Sequence, residues 1–421
     1  MAVIPGEPMT FKRGMYIAAS VLLIASFAVT TRYIAEGTAK DRPTADRSFP
    51  WRHVDLLPIW AGSRMILRRE SPYSDSATRA IQVEYYGRAL RPGEKDDPVA
   101  FVYPACTALF ASPLALLPWP AASTIAFFGM LFGTLVSVPI WLRVLDIRVS
   151  RAKVWLYAGA VIASWPALAG LRLENISLLI IPVIAVATWC LVRGYPVSAG
   201  FLFAACTVKP QLVCLLLPWL ALRSALRREW RFLSSFGATL AASFCVTTLL
   251  VPHWVGAWYR SLTYYVTYQS VTPGLLFRFD EALAGIALLI LWHFRRVDLG
   301  RGVSLALAAT YAAAPLGLRH GYDMLCLVPA CLYLLEHRVT GRVAWFRVIA
   351  IELLALGFLL EPMRFALHRV YPHGTIVDWL AGGDIFLLPI AVAVALSAIL
   401  MSSSRSPERV TSQRSVLPTD A

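Results

Sequence analysis

Apolar stretches recur along this chain near residues 15–33, 121–142, 153–170, 175–193, 197–208, 210–222, 231–252, 281–294, 302–318, 322–336, 344–361 and 383–401. A bilayer core about 30 Å thick takes about 20 apolar residues to cross as a helix, and lipid offers no water to an unpaired backbone, so such runs have to be helical. The composition agrees: 58% of the residues are hydrophobic and 15% charged, against roughly 45–50% apolar and 25% charged in a soluble domain. The expectation is an all-α polytopic membrane protein of about 12 spans, with a range of roughly 10–13. The runs on either side of Lys209 are each short for a crossing and are either tilted or a broken hairpin. Residues 1–401 read as one membrane domain, and the polar 402–421 tail as disordered.

The formal charge of +14 does not point to nucleic acid, because the Lys and Arg residues sit in short clusters between apolar runs, the pattern of cytoplasmic anchoring. Sorted by basic content, the connections alternate. Lys12 and Arg13, Arg143 to Lys153, Arg193, Arg223 to Arg231, Arg295 to Arg301, Arg338 to Arg347 and the tail fall on one side. That side is expected to be the cytoplasm, with both chain termini there and residues 15–31 a retained signal anchor in the inner (plasma) membrane. The opposite side receives the long 34–120 segment, the turns 170–175, 207–210 and 317–323, the aromatic stretch 252–280 and the loop 361–382. Residues 101–118 are apolar enough to cross, yet the charge alternation favours a re-entrant or interfacial segment. The seven Cys residues lie almost all within apolar runs with no CxxC spacing and read as buried thiols.

The candidate chemistry gathers on the side opposite the basic clusters. Asp55 precedes a stretch in which Leu56, Trp60 and Leu67 are expected to share one face and Arg64 and Arg68 another, an amphipathic interfacial helix with Pro58 in its first turn. Asp55 stands at its N-terminus, where a carboxylate is favoured; an ordinary N-cap is the alternative. Lys209 is isolated in FLFAACTVKPQLVCLLLP, where an ammonium is costly, so a phosphate partner or snorkelling to the interface is expected. The turn GLRHGYD supplies Arg319, His320 and Asp323; Arg and His suit an anionic phosphate, and Asp323 could pair with Arg319. GLRLENIS supplies Arg172, Glu174 and Asn175, and the Trp- and Tyr-rich stretch after residue 252 reads as sugar-stacking residues or an aromatic belt. Glu361, Arg364, His368, His373 and Asp378 face the same side. HExxH, P-loop and GxGxxG signatures are missing, which disfavours nucleotide chemistry.

Four segments together resemble glycosyltransferase family 87, the DUF2029 group of polyprenol-phosphate-dependent mannosyltransferases with the membrane-embedded GT-C fold. They are the first-loop pattern of Asp55, Trp60 and Ser71 to Tyr73; FVYP and SPLALLP between Phe101 and Pro118; LRLENISLLI followed by RGYPVSAGFLFAACTVKPQ ending at Gln211; and the late HGYD turn. The resemblance implies a GT-C-like fold, a sugar donor carried on a polyprenyl phosphate, a glycolipid or glycan acceptor, and inverting transfer on the extracytoplasmic face. Asp55 matches the family's general base. Lys209, Arg319 and His320 become donor phosphate-binding candidates, and Trp60, Tyr73, Tyr103, Glu174, Asn175, Gln211, Tyr322 and Asp323 substrate-binding ones. Where the family often has GQxN, this chain has Arg172, Leu173, Glu174 and Asn175, so any role carried over to Glu174 is in doubt. Inversion in one displacement needs a single carboxylate to take the acceptor proton, and a lipid-phosphate donor requires neither metal nor cofactor. The competing expectations are a transporter or flippase with Lys209 on a midplane path, and a non-catalytic partner of an envelope-assembly complex.

Overall fold

A computed structural model describes residues 55–91, 94, 97–268, 275–313, 320–337 and 392–401, together with 24, 28 and 390. The 15–33 run apart from residues 24 and 28, the 344–361 run, the 361–382 loop with its Glu361, Arg364, His368, His373 and Asp378, Arg319, and the tail lie outside these residues. Among the described residues every regular element is helical: α1 (Leu56–Leu67), α2 (Asp75–Tyr86), α3 (Thr107–Ala115), α4 (Trp119–Val144), α5 (Arg151–Ala163), α6 (Trp165–Arg172), α7 (Ser177–Val192), α8 (Pro196–Ala205), α9 (Leu216–Leu226), α10 (Trp230–Leu250), α11 (Trp254–Tyr268), α12 (Leu275–His293), α13 (Leu299–Ala313) and α14 (Val328–Glu336). Short 3₁₀ turns occupy Cys206–Val208, Pro210–Leu212 and Gly321–Leu327.

By length and apolar content α4 and α10 can each cross a membrane, and α5 with α6 makes a third crossing if the pair, bent by 55°, counts as one span. At about 1.5 Å per residue, the 26 residues of α4 reach about 39 Å. Along α4, Ile125, Phe128, Phe132 and Val136 form an outward stripe, each about half exposed on the protein alone. About three turns of bare apolar surface are unfavourable in water and ordinary against lipid. α7, α8 and α9 are apolar but shorter, so the twelve-span count has no direct counterpart in helix length. Residues 101–118 contain only the nine-residue α3, about 14 Å long and too short to cross.

The first loop departs most from its expected form. α1 does not lie on the surface with one polar face. Leu56 and Ile59 join the main apolar core of the bundle, whereas Leu57, Ala61 and Ile66 join a second core with Ile81, Tyr85, Phe101, Ala105, Val251 and Trp254. A helix apolar on two sides is sandwiched, not floated. Trp60 and Arg64, four residues apart, share a face: both donate to the Leu117 carbonyl, at 3.1 and 3.4 Å, and the guanidinium lies 4.8 Å over the indole. The thiols also differ from expectation, since Cys214 and Cys245 are exposed on the protein alone.

Close helix approach depends on glycine. A Cβ on Gly200 of α8 would stand 2.7 Å from the Phe236 nitrogen and 2.8 Å from the Phe232 carbonyl oxygen of α10. Backbone atoms cannot swing aside as a side chain can, so only glycine permits this spacing.

Candidate active site

The site begins with the end of α6. Pro166 in the first turn sets the bend from α5. The helix then closes in a Schellman turn, with Asn175 N–H donating to Gly170 O at 2.9 Å and Glu174 N–H to Leu171 O at 3.2 Å. Glu174 holds the left-handed position of that turn at φ +47°, a place where glycine is usual. The turn aims its two side chains in different directions. Glu174 is buried toward α4, accepting from Ser123 Oγ at 2.8 Å, and Asn175 faces the first loop. Gly170 allows the turn to press on the HGYD segment, because a Cβ there would meet Leu178 Cδ1 at 2.2 Å and Tyr322 Cβ at 3.2 Å.

Asp55 is tied to this turn twice. Its N–H donates to Leu173 O at 2.7 Å, and its Oδ2 accepts from Asn175 Nδ2 at 2.7 Å. The carboxylate makes no capping bond to α1, so the ordinary N-cap alternative does not describe it. The orientation of the Asn175 amide follows from its other end: Oδ1 accepts from Ser177 N–H at 3.0 Å, Ser177 Oγ at 2.8 Å and Lys209 Nζ at 3.2 Å. With the oxygen turned to three donors, the NH₂ is left for Asp55.

Lys209 lies between the two 3₁₀ turns that interrupt α8 and α9, at φ −122° and ψ 81°. Its side chain is 2% exposed and pairs with the equally buried Asp323 at 2.7 Å. The other N–H groups reach Ser177 Oγ and Asn175 Oδ1, and Nζ lies 4.8 Å from the Tyr322 ring centre. Lys209 therefore does not snorkel, and Asp323 pairs with Lys209 where the sequence suggested Arg319. An ammonium has three donors, and all three are directed at protein acceptors; direct contact with a phosphate would cost one of these bonds.

Asp55, Asp97, Tyr103, Asn175, Lys209, Gln211, Trp258, Tyr265, His320 and Tyr322 line one cavity of about 340 Å³, within the range of small-molecule pockets. Burial raises the Asp55 carboxyl to about 6, with the Asp97 and Asp323 charges adding and the Asn175 bond and Lys209 opposing. His320 stacks on Tyr322 at 5.1 Å, and burial holds its imidazole down at about 4 with Lys209 adding to the effect and Asp323 opposing it. At neutral pH His320 is thus an uncharged hydrogen-bond donor, not the cation anticipated from the sequence.

The wall opposite the turn is the extended segment 97–104, whose carbonyls are satisfied by side chains in place of a partner strand. Tyr86 donates to Asp97 O, Gln82 to Pro98 O, Ser261 to Phe101 O, Trp258 to Val102 O and Tyr73 to Tyr103 O, all at 2.7–3.0 Å. Tyr73 and Trp60 hold the wall and α1 without lining the cavity, and Glu174 points away from it. Asp97 and Ser177 belong to the site but do not stand out in the sequence, although Ser177 lies two residues beyond the conspicuous Asn175; Trp258 and Tyr265 come from the Trp- and Tyr-rich stretch after residue 252, which the sequence marks as a whole. Among the described residues no three His, Cys, Asp or Glu side chains converge to hold a metal.

Glu174→Gln tests the reading of this turn. An amide oxygen can accept from Ser123 as a carboxylate oxygen does, and the side chain is outside the cavity. Activity is expected to stay within about threefold of wild type, whereas Glu174→Ala, which deletes the acceptor and leaves Ser123 Oγ without it, costs about 1–3 kcal/mol of stability. Thermal unfolding and a transfer assay of both variants decide; a collapse of activity in a well-folded Glu174→Gln protein contradicts it.

No curated protein and no solved structure matches this chain. Residues 101–335, more than half of its length and including Asn175, Ser177, Lys209 and Asp323, match the model of glycosyltransferase family 87. With its outward apolar helices and the polar cavity between them, the chain belongs to glycosyltransferase family 87 and is a membrane glycosyltransferase.

Proposed function

We propose that this enzyme transfers a sugar, mannose by family likeness, from a polyprenyl-phosphate donor to a glycolipid or envelope glycan on the extracytoplasmic face of the inner membrane, with inversion and with Asp55 as base. The observation that carries the reading is the Asp55 carboxylate, which lines the cavity and is oriented by Asn175. Asp55 takes the proton of an acceptor hydroxyl as its oxygen forms the new bond to the anomeric carbon; the bond from that carbon to the phosphate oxygen breaks, and polyprenyl phosphate leaves. Tyr103, Gln211, Tyr265, His320 and Tyr322 are suited to donate neutral hydrogen bonds to sugar and phosphate. Lys209 acts through position and field: together with Ser177 it fixes Asn175, which orients Asp55. A GT-C-like bundle with the basic connections in the cytoplasm accommodates this arrangement, since the cavity and those connections are at opposite ends of α7. The same separation disfavours a transporter, whose charged path should be reachable from both sides.

The test is transfer of labelled sugar from polyprenyl-phosphate-mannose to envelope lipid extract by purified protein, measured against pH. A base works only when deprotonated, and Asp55 is raised to about 6. kcat/KM should therefore fall about tenfold per pH unit below about 6 and level off above it. His320, neutral throughout that window, does not contribute to this limb. A rate that stays flat down to about pH 4.5 removes Asp55 as the base, and absence of both donor binding and transfer removes the donor assignment.

A further inference from the structure

At the other end of the bundle, two basic connections that are about 70 residues apart in sequence meet around a second cavity, of about 870 Å³. α7 links the two ends: Ser177 at its start bonds to Asp323, and Leu191 and Val192 at its finish line the second cavity, about 24 Å away along sixteen residues. Gly300, where a Cβ would stand 2.5 Å from Val144 O, closes one side. Arg223, Arg227, Arg228 and Arg231 line the cavity against Glu229 and Asp298.

Both acids are already engaged. Asp298 takes Arg301 Nε at 2.9 Å on Oδ2 and the Arg301 N–H at 3.1 Å on Oδ1. Glu229 accepts from Arg223 at 3.3 Å and from Ser224 at 2.8 Å. Arg227 donates to the Arg296 carbonyl at 3.3 Å, and no carboxylate among the described residues pairs with Arg227, Arg228 or Arg231. Arg223 is 4% exposed, and its Nε has no acceptor among the described residues. A buried guanidinium N–H without an acceptor needs a reason. Arg228 adds another: it occupies the left-handed position that ends α9, at φ +58°, where glycine would be unstrained. The lining includes exposed Trp230, at the start of α10, which is long and apolar enough to cross a membrane, and exposed Tyr195, Val197 and Leu226 are chain neighbours of the lining residues Pro196 and Arg227, a setting suited to a membrane interface.

We propose that this cavity is a second ligand site, separate from the sugar-transfer cavity, which binds the phosphate of an anionic phospholipid headgroup through Arg223, Arg227 and Arg228. Guanidinium groups match phosphate oxygens in pairs, and a free phosphate would be recognised by the same chemistry.

The full-length protein in mixed micelles is examined by native mass spectrometry with phosphatidylglycerol, with phosphatidylcholine, whose headgroup is neutral overall, and with inorganic phosphate as competitor. Wild type is expected to retain phosphatidylglycerol over phosphatidylcholine. Arg227→Gln with Arg228→Gln should lower that retention roughly tenfold or more, with unchanged gel-filtration behaviour. Glu229→Gln, which frees Arg223 from its carboxylate, should raise it, an outcome that poor folding cannot mimic. Displacement of the lipid by millimolar phosphate supports the proposal, whereas stabilisation by phosphate without any lipid preference overturns the lipid source and assigns the site a free phosphate. Equal retention by wild type and both variants, with no response to phosphate, overturns the proposal.

Discussion

Asp55→Asn is expected to reduce transfer by about 10²–10⁴-fold, the contribution typical of a positioned base, while leaving folding and donor affinity close to wild type. The substitution is nearly isosteric, and the new amide can still offer an oxygen to Asn175 Nδ2, so the 2.7 Å contact that orients residue 55 has no reason to break. What disappears is the capacity to hold a proton. The loss should therefore sit in kcat, not in the KM for donor, and the acid limb near pH 6 should vanish from the residual rate. Asp97 provides the internal control. It lines the same cavity, but its Oδ1 accepts from Val99 N–H at 2.9 Å in a local turn, so its first duty is to shape the wall. Asp97→Asn should alter KM more than kcat. If Asp55→Asn keeps more than about a tenth of wild-type activity while Asp97→Asn loses it, the roles of the two carboxylates must be exchanged.

How much of this site could be read from the chain depends on the kind of signal. Asp55, Asn175, Lys209 and Asp323 are conspicuous individually, Lys209 because it interrupts an apolar run where a charge is expensive and the others because they stand in short polar segments at the edges of apolar runs. Their partnerships are not legible, since Asp55 and Asn175 are separated by 120 residues and Lys209 and Asp323 by 114. No helical period links such distances; only tertiary packing does. That is why Lys209 reads as a free cation for phosphate and turns out to be bonded to Asp323, and why His320 reads as a charged ligand when its surroundings keep it neutral. Apolar helical runs could be located well in α4 and α10, where length and composition agree. Around Lys209 the sequence only marks a break, because two 3₁₀ turns leave no periodic trace. α1 departs from its expected interfacial form for a different reason: a single helical wheel cannot reveal that two separate cores cover opposite sides of one helix.

The Lys209–Asp323 pair should give the largest effect on stability. Lys209→Ala leaves the Asp323 carboxylate at 2% exposure without its counter-ion, and breaking a buried pair from one side costs about 3–5 kcal/mol. Asn175 loses one of its three donors to Oδ1 in the same step, so its amide is held toward Asp55 by Ser177 alone. Lys209→Ala should therefore unfold at a markedly lower temperature in detergent and show no measurable transfer. Those two losses can be separated by removing both charges. Lys209→Met combined with Asp323→Leu replaces the pair with apolar groups of similar size, an exchange that is often neutral or stabilising. The double variant is expected to regain most of the lost thermal stability and yet remain at least about tenfold less active than wild type, because the Asn175 amide then rests on Ser177 alone and the ammonium charge near Asp55 is gone. Asn175→Asp in the wild-type background should mimic that catalytic defect, since it sets a second carboxylate against Asp55 in place of the donated N–H. Full activity in the charge-free double variant would show that the pair only holds the bundle together, and that Ser177 suffices to hold the Asn175 amide toward Asp55.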